Sequence, residues 1–220
     1  MKIQAVIFDM DGVLLDTESV CKICWNRAAE EFGIDKIEEA YDHCVGQNTN
    51  DTLVVLASYC KDIVSPEKFY ERTCELFYIV EKEQGLALMP SVVSCLESLK
   101  ASGLRLAVAS STSWKNVSRQ LKAASIFDFF ETITTGDTVE HSKPAPDIYL
   151  KSAASLNLDA GSCIAVEDSP NGVKAATAAG IRCVMVPDMI QPDSEISALA
   201  WKIIPSLAEL KQTLEDSEQA

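Results

Sequence analysis

Residues 3–14 of this chain read Ile3-Gln4-Ala5-Val6-Ile7-Phe8-Asp9-Met10-Asp11-Gly12-Val13-Leu14. The apolar run is typical of a buried β-strand, and it ends in two aspartates and a glycine. Residues i and i+2 of a strand point to the same side, so the sequence predicts that Asp9 and Asp11 lie together. Sites in open α/β sheets usually lie where the strands end. We therefore expect a site of paired carboxylates directly after the first strand.

The pairing of two carboxylates indicates a particular chemistry. Adjacent anions repel each other, which favours either a bound divalent cation or a raised pKa on one of the two groups. Phosphoryl transfer through an aspartyl-phosphate requires a nucleophilic carboxylate, an acid/base carboxylate beside it and a hard metal ion. The alternative is that this Asp-x-Asp-Gly pattern only forms a loop, because Asp and Gly are common in turns.

Length, composition and charge restrict the class of protein. A chain of 220 residues is long enough for one sizeable core and a small second domain. The formal net charge of −14 argues against nucleic acid and anionic membranes as partners. A phosphate ester is also an anion, so its binding would depend on a local metal ion and a few well-placed cations and N–H groups.

We expect neither a membrane span nor a secretory signal in this protein. No stretch approaches the roughly 20 apolar residues that a spanning helix needs, and no basic segment with a cleavage site precedes the first strand. We therefore expect a cytoplasmic location. The eight cysteines are then expected to stay reduced and to pack as small apolar side chains.

Strand-like apolar runs alternate with helical patterns over most of the chain. The strand candidates are residues 3–8, 104–109, 132–135, 163–166 and 183–186, and helical patterns lie near 91–102, 114–124, 147–156, 170–179 and 206–214. This alternation predicts an α/β fold class, with a Rossmann-like three-layer core around a parallel sheet.

Residues 17–85 follow a different pattern. Helical patterns lie near 17–32, 36–44, 49–60 and 66–84, with no convincing strand between them. The sequence predicts a small helical-bundle cap domain at residues 17–85, inserted into a core made of residues 1–16 and 86–220. Because the insertion starts directly behind the two aspartates, we expect it to act as a lid that excludes water.

Further polar residues follow the other predicted strands. Since parallel strands end at one edge of a sheet, these residues are expected to meet Asp9 and Asp11 in one crevice. They are Ser110, Ser111 and Thr112; Lys143-Pro144-Ala145-Pro146-Asp147; and Glu167, Asp168 and Ser169. Each set alone has a simpler interpretation as a helix cap or a solvated loop charge. All of them together favour a catalytic site.

In their order and spacing, these motifs resemble those of the haloacid dehalogenase-like hydrolase superfamily, and the resemblance covers essentially the whole chain. The helical insertion is similar to the cap of the subfamily of β-phosphoglucomutases and small sugar-phosphate phosphatases. The matching motifs are Asp9-x-Asp11-Gly12-Val13-Leu14-x-Asp16-Thr17, Ser110-Ser111, Lys143-Pro144-x-Pro146-Asp147 and Glu167-Asp168-Ser169.

The resemblance implies a mechanism and a cofactor. Asp9 would attack phosphorus, while Asp11 would act as general acid and then as general base. Mg²⁺ would be held by Asp9, the main-chain carbonyl of Asp11 and Asp168, with Glu167 bound directly or through water. The residues implied in catalysis or in binding phosphate and substrate are Asp9, Asp11, Ser110, Ser111, Thr112, Lys143, Thr17 and Asn48.

The choice between phosphatase and mutase depends on the cap. Mutases of this family carry a His shortly after the first motif and a cap Arg that grips a second phosphate. Here Cys21 and Thr49 stand at those positions, and a desolvated phosphate without a cation is costly. Gln47, Asn48 and Asn50 favour a neutral, hydroxyl-bearing leaving group. We expect a phosphatase acting on a sugar or polyol phosphate, with β-phosphoglucomutase-type activity as the alternative.

Other classes fit the residues less well. A dehalogenase would not need the acid/base Asp11. A dinucleotide-binding oxidoreductase would carry Gly-x-Gly-x-x-Gly after the first strand, and that pattern is missing. A non-catalytic binding module would have little reason to carry every catalytic group. The expected partner is therefore a small-molecule phosphate ester. The resemblance also implies a monomer, because proteins of this family are often monomeric.

Overall fold

The computed structural model describes residues 2–44 and 49–218. The chain divides into two compact units. One contains the residues up to Leu15 together with those from Leu88 onward, and the other contains Asp16–Ala87. The larger unit is a Rossmann-like α/β domain and the smaller one is a bundle of helices.

A parallel sheet of six strands forms the larger unit. The strands are β1 (Ala5–Phe8), β2 (Arg105–Ser110), β3 (Thr132–Thr135), β4 (Cys163–Glu167), β5 (Arg182–Met185) and β6 (Lys202–Ile203). Their order is β3-β2-β1-β4-β5-β6, and every pairing is parallel. The predicted fold class is confirmed, and the strand that precedes Asp9 lies in the middle of the sheet.

Helices make up most of the remaining regular structure. They are α1 (Thr17–Phe32), α2 (Ile37–Cys44), α3 (Thr49–Cys60), α4 (Pro66–Gln84), α5 (Val92–Ala101), α6 (Trp114–Ala123), α7 (Asp147–Ser155), α8 (Pro170–Ala178), α9 (Ser194–Leu199) and α10 (Leu210–Glu218). Local sequence explains where several of them begin. Helix α8, for example, has Pro170 in its first turn and is capped by the Ser169 hydroxyl, which accepts from Gly172 N.

The register of the sheet brings the ends of its central strands together. Every residue of β1 and of β4 is buried, which explains why both strands read as nearly continuous apolar runs. Phe8 pairs with Val108 on one side and with Val166 on the other. The polar residues that follow these strands therefore meet at one edge of the sheet.

The helices α1–α4 of the smaller unit enclose a hydrophobic cluster of their own. Trp25 is 6% exposed, and its ring makes edge-to-face contacts with Tyr41 and Phe69, at centroid distances of 5.3 and 5.6 Å. Such aromatic pairs stabilise the packing of three different helices. Within the described residues, no helix has the length and apolar character that crossing a membrane requires.

Some predicted elements differ from the observed ones. The fifth strand spans Arg182–Met185 rather than residues 183–186, and the last helix spans Leu210–Glu218 after a short 3₁₀ turn rather than residues 206–214. Helix α9 and strand β6 were not predicted. Strand β6 is only two exposed residues long, so it carries no apolar run that could have indicated a strand.

Candidate active site

The carboxylate of Asp11 points to the hydroxyl loop, which we define as Ser110, Ser111 and Thr112 at the end of β2. Asp11 Oδ2 accepts hydrogen bonds from Ser110 Oγ at 3.2 Å and from Thr112 Oγ1 at 3.1 Å. Ser110 Oγ in turn accepts from the main-chain N–H of Thr112 at 3.1 Å. Ser110 is fully buried, whereas Ser111 is exposed. The structure thus brings the predicted acid/base carboxylate to the predicted phosphate-binding residues.

Gly136 and Asp137, which follow β3, contact the hydroxyl loop and the start of helix α6. Gly136 N donates to the carbonyl of Thr112 at 3.2 Å, and a Cβ on Gly136 would lie 2.1 Å from the carbonyl oxygen of Ser111. The Asp137 carboxylate accepts from Trp114 N at 3.1 and 3.3 Å and so caps helix α6. Sequence reasoning missed this support because the cap comes from 23 residues away.

Lys143 reaches the end of β1 and makes a buried ion-pair network there. Its ammonium Nζ donates to Asp9 Oδ1 at 2.5 Å, to Glu167 Oε1 at 2.7 Å and to the carbonyl of Ala109 at 3.1 Å. All three donors of the ammonium are used. Burial by itself lowers the pKa of Lys143, but the carboxylates of Asp9 and Glu167 outweigh burial and hold that pKa above its usual value.

The loop that carries Lys143 is closed by a contact between its two ends. The Asp147 carboxylate accepts from the main-chain N–H of His141 at 3.3 Å, and its Oδ1 lies 3.0 Å from His141 Nδ1. Ala145 N also donates to the carbonyl of Ser142 within the loop. This hydrogen bonding limits the loop's freedom, which helps to place the ammonium of Lys143 at Asp9.

Glu167 is fully buried, and both of its carboxylate oxygens have hydrogen-bond partners. Tyr149 donates its hydroxyl to Oε1 at 2.6 Å, beside the contact from Lys143, while Ser169 donates its hydroxyl to Oε2 at 3.3 Å. A Cβ on Gly172 would lie 1.9 Å from Oε2. The carboxylate therefore fits tightly against the first turn of α8, where the helix dipole favours negative charge.

The donor set at the end of β1 and β4 fits a hard divalent cation. Carboxylate oxygens of Asp9, Glu167 and Asp168 lie within 4.8 Å of one another. Burial raises the pKa of Asp9 above its usual range; Lys143 opposes this effect, and Glu167 and Asp11 add to it. The cluster thus contains more carboxylates than the ammonium of Lys143 can balance, and oxygen ligands are those that Mg²⁺ prefers.

The position of Asp168 leads to a prediction about Gly12. Gly12 has φ +73°, and a Cβ on it would lie 2.3 Å from Asp168 Oδ2. We expect Gly12→Ala to displace the Asp168 carboxylate and to weaken Mg²⁺ binding by about 10- to 100-fold, as is typical for lost support of a metal ligand. Isothermal titration of the purified variant with Mg²⁺ measures this effect.

Gly103→Ala is the matched control for that substitution. Gly103 has φ +81° with no atom within 4 Å of its Cβ position, so both variants carry the same left-handed backbone strain of about 1–2 kcal/mol. Only Gly12→Ala adds the contact with Asp168. Equal Mg²⁺ affinity in the two variants would contradict the assignment of Asp168 as a ligand.

The remaining predicted residues lie in the helical unit or outside the described residues. Thr17, the first residue of α1, is buried, and its hydroxyl has no hydrogen-bond partner among the described residues. Thr49 is exposed and its hydroxyl lies 3.4 Å from that of Tyr70, while Cys21 is partly exposed. Asn48 falls within residues 45–48, which the structure does not describe.

Comparison with known proteins agrees with the fold and with the family resemblance of the sequence motifs. Residues 6–186 match the profile of the haloacid dehalogenase-like hydrolases. The chain is similar to the "Phosphorylated carbohydrates phosphatase" of Thermotoga maritima, with 34% identity over 81% of this chain and 82% of the relative. It is also similar to a β-phosphoglucomutase of Bacillus subtilis, with 28% identity over 83% of each chain.

A solved structure extends the similarity to three dimensions. The crystal structure of CbbY from Rhodobacter sphaeroides in complex with phosphate superposes with a TM-score of 0.79, at 29% identity, covering 94% of this chain and 96% of that one. The chain therefore belongs to the haloacid dehalogenase-like hydrolases. Its enzyme class is that of a hydrolase.

Proposed function

We propose that this chain is a Mg²⁺-dependent phosphatase that hydrolyses a small sugar or polyol phosphate through an aspartyl-phosphate on Asp9. The observation that supports this most directly is the arrangement at the end of β1. Asp9 is held by the ammonium of Lys143 at 2.5 Å, and Asp11, two residues further on, is hydrogen-bonded to the hydroxyl loop. The residues that we propose as nucleophile, acid/base and phosphate-binding loop are thus adjacent.

In the first step, a carboxylate oxygen of Asp9 attacks the phosphorus of the ester. The bond between phosphorus and the leaving oxygen breaks, and that oxygen keeps the electron pair and takes a proton from Asp11. The hydroxyl loop and its main-chain N–H groups bind the phosphoryl oxygens. Lys143 offsets the negative charge between the phosphate and Asp9, and such preorganised groups supply much of the rate of phosphoryl transfer.

In the second step, water releases the phosphate from Asp9. Asp11, now ionised, takes a proton from the water as the water oxygen attacks phosphorus. The bond between phosphorus and Asp9 breaks, which regenerates the carboxylate and frees inorganic phosphate. Ser110 and Thr112 both donate to Asp11 Oδ2. Because each hydroxyl has a single proton to donate, these hydrogen bonds would pass from Asp11 to the phosphoryl oxygens when the ester binds.

The same carboxylates are proposed to hold the metal ion. Asp9, Asp168 and the main-chain carbonyl of Asp11 are the proposed ligands, and Glu167 binds directly or through water. Both oxygens of Glu167 already accept hydrogen bonds from protein groups, which favours the contact through water. Bound Mg²⁺ supplies charge neutralisation at the transferring phosphoryl group.

The relatives and the cap residues support a sugar or polyol phosphate as the proposed substrate class. A phosphatase of phosphorylated carbohydrates is among the similar proteins. Cys21 and Thr49 are neutral at the positions where mutases of the family carry a His and an Arg. The hydroxyl of Thr49 also lies within hydrogen-bonding distance of the hydroxyl of Tyr70. Neutral hydroxyl groups suit a polyol leaving group better than a second phosphate.

A panel of phosphorylated sugars and polyols, assayed for free phosphate, tests the proposal. We expect phosphate release in Mg²⁺ that EDTA abolishes and added Mg²⁺ restores. The alternative is tested with β-glucose 1-phosphate and a bisphosphate primer, and formation of glucose 6-phosphate in excess of phosphate release would favour a mutase. Phosphate release that is unaffected by EDTA would contradict the proposed metal site.

A further inference from the structure

Tyr149 contacts two members of the candidate active site, although it belongs to none of the motifs at the strand ends. It lies in the first turn of α7 and is fully buried. Its hydroxyl donates to Glu167 Oε1 at 2.6 Å, and its ring centroid lies 5.3 Å from Lys143 Nζ. A single side chain from helix α7 therefore borders both the ammonium and the carboxylate that anchors it.

The hydroxyl of Tyr149 completes the hydrogen bonding of Glu167. On one side, Ser169 and the close approach of Gly172 restrain Oε2. On the other side, Oε1 accepts from both Tyr149 and Lys143. Without the tyrosine hydroxyl, Oε1 would keep only the lysine as a partner, and the buried carboxylate could rotate with the ammonium. A buried carboxylate is costly unless it is hydrogen-bonded, so each partner that it loses leaves it less firmly held.

The position of Glu167 matters for two other groups. Its Oε1 shares the ammonium of Lys143 with Asp9 Oδ1, and its carboxylate lies within the cluster formed with Asp9 and Asp168. A rotation of Glu167 would therefore change both the contact of Lys143 with the nucleophile and the spacing of the metal ligands. Groups behind metal ligands commonly act in this way.

We propose that Tyr149 is a positioning residue, whose hydroxyl fixes the Glu167 carboxylate and thereby the ammonium of Lys143 and the Mg²⁺ site. The inference rests on the proposed function for its catalytic consequence. It concerns the hydroxyl alone, because the ring of a phenylalanine would fill the same space in the core.

Tyr149→Phe tests the inference by removing only that hydroxyl. We expect the Kd for Mg²⁺, measured by calorimetry without substrate, to rise by about tenfold or more, and kcat to fall by a similar factor. KM at saturating Mg²⁺ is expected to change by less than about twofold, because the tyrosine touches no substrate group in the proposed mechanism. A residue that only stabilised the fold would shift the unfolding midpoint without this pattern.

Tyr41→Phe is the matched control. Tyr41 is also buried, and its hydroxyl donates to the carbonyl of Glu18 at 2.9 Å within the helical unit. The control therefore loses a buried tyrosine hydroxyl that has no contact with Glu167. We expect its Kd for Mg²⁺ to match that of the wild type.

A double-mutant cycle with Glu167→Gln determines whether Tyr149 acts through Glu167. If it does, the effects of the two substitutions on the Kd for Mg²⁺ are not additive. A Kd within about twofold of wild type in Tyr149→Phe, or additive effects in the cycle, would overturn the inference. If the wild type releases no phosphate from any ester, the proposed function fails, and the Mg²⁺ titrations still decide the role of Tyr149.

Discussion

Asp9→Asn is expected to lower the rate of phosphate release by about 10⁴-fold or more, which is typical when a covalent nucleophile is removed. The amide oxygen is uncharged and cannot attack phosphorus as a carboxylate does. The fold should persist, because Asn has nearly the same shape and Lys143 keeps its contacts with Glu167 and with the carbonyl of Ala109. Loss of turnover without loss of structure is therefore the expected result.

Phosphate release with saturating Mg²⁺ measures the effect, and circular dichroism confirms the fold. Asp128→Asn is a suitable control, since Asp128 is an exposed carboxylate on the 3₁₀ turn Phe127–Phe129 of the same unit. Its turnover should equal that of the wild type. Retention of substantial Mg²⁺-dependent turnover by Asp9→Asn would reject Asp9 as the nucleophile.

Lys143→Met is expected to reduce both stability and activity. The side chain of Lys143 is 8% exposed. Its ammonium balances the carboxylate of Asp9, whose side chain is also 8% exposed, and that of Glu167, which is fully buried. Its removal leaves two buried carboxylates without their cation, which typically lowers the free energy of unfolding by about 3–5 kcal/mol. We also expect kcat to fall by about 10²- to 10³-fold, the usual loss for a group that stabilises charge in the transition state.

Denaturant unfolding and initial rates measure the two losses, and Lys151→Met is the control. Lys151 is exposed on the same helix as Tyr149, and within the described residues its ammonium donates a hydrogen bond to the carbonyl of Thr138. We expect added Mg²⁺ to restore part of the stability of Lys143→Met, because the cation offsets the same carboxylates. If Lys143→Met unfolds at the same denaturant concentration as Lys151→Met, the buried ion pair is not the stabilising contact described above.

Much of the fold could be predicted from the sequence because its central strands are buried on both faces. Such strands read as apolar runs, and β1 and β4 are of this kind. Asp9 and Lys143 are 134 residues apart in sequence, yet their side chains meet at 2.5 Å. Their proximity was predictable in outline, since parallel strands end at a common edge.

The contacts behind the motif residues could not be predicted. From the sequence alone, Tyr149 is an ordinary aromatic residue in a predicted helix. Its hydroxyl reaches Glu167 only because helix α7 packs against the sheet. Asp137 caps a helix that begins 23 residues earlier in the chain, so no local pattern indicates the cap. These contacts depend on tertiary packing, whereas sequence patterns report mainly local propensity and burial.

Trapping a phosphorylated intermediate is the most direct test of the central claim that Asp9 accepts the phosphoryl group. A substrate found in the panel would be mixed with enzyme and Mg²⁺, quenched in acid within one turnover and analysed by peptide mass spectrometry. We predict one hydroxylamine-labile phosphoryl group on the peptide that contains Asp9, and none in Asp9→Asn. Turnover without any covalent phosphate, together with inversion of configuration at phosphorus, would show direct attack by water and contradict the account.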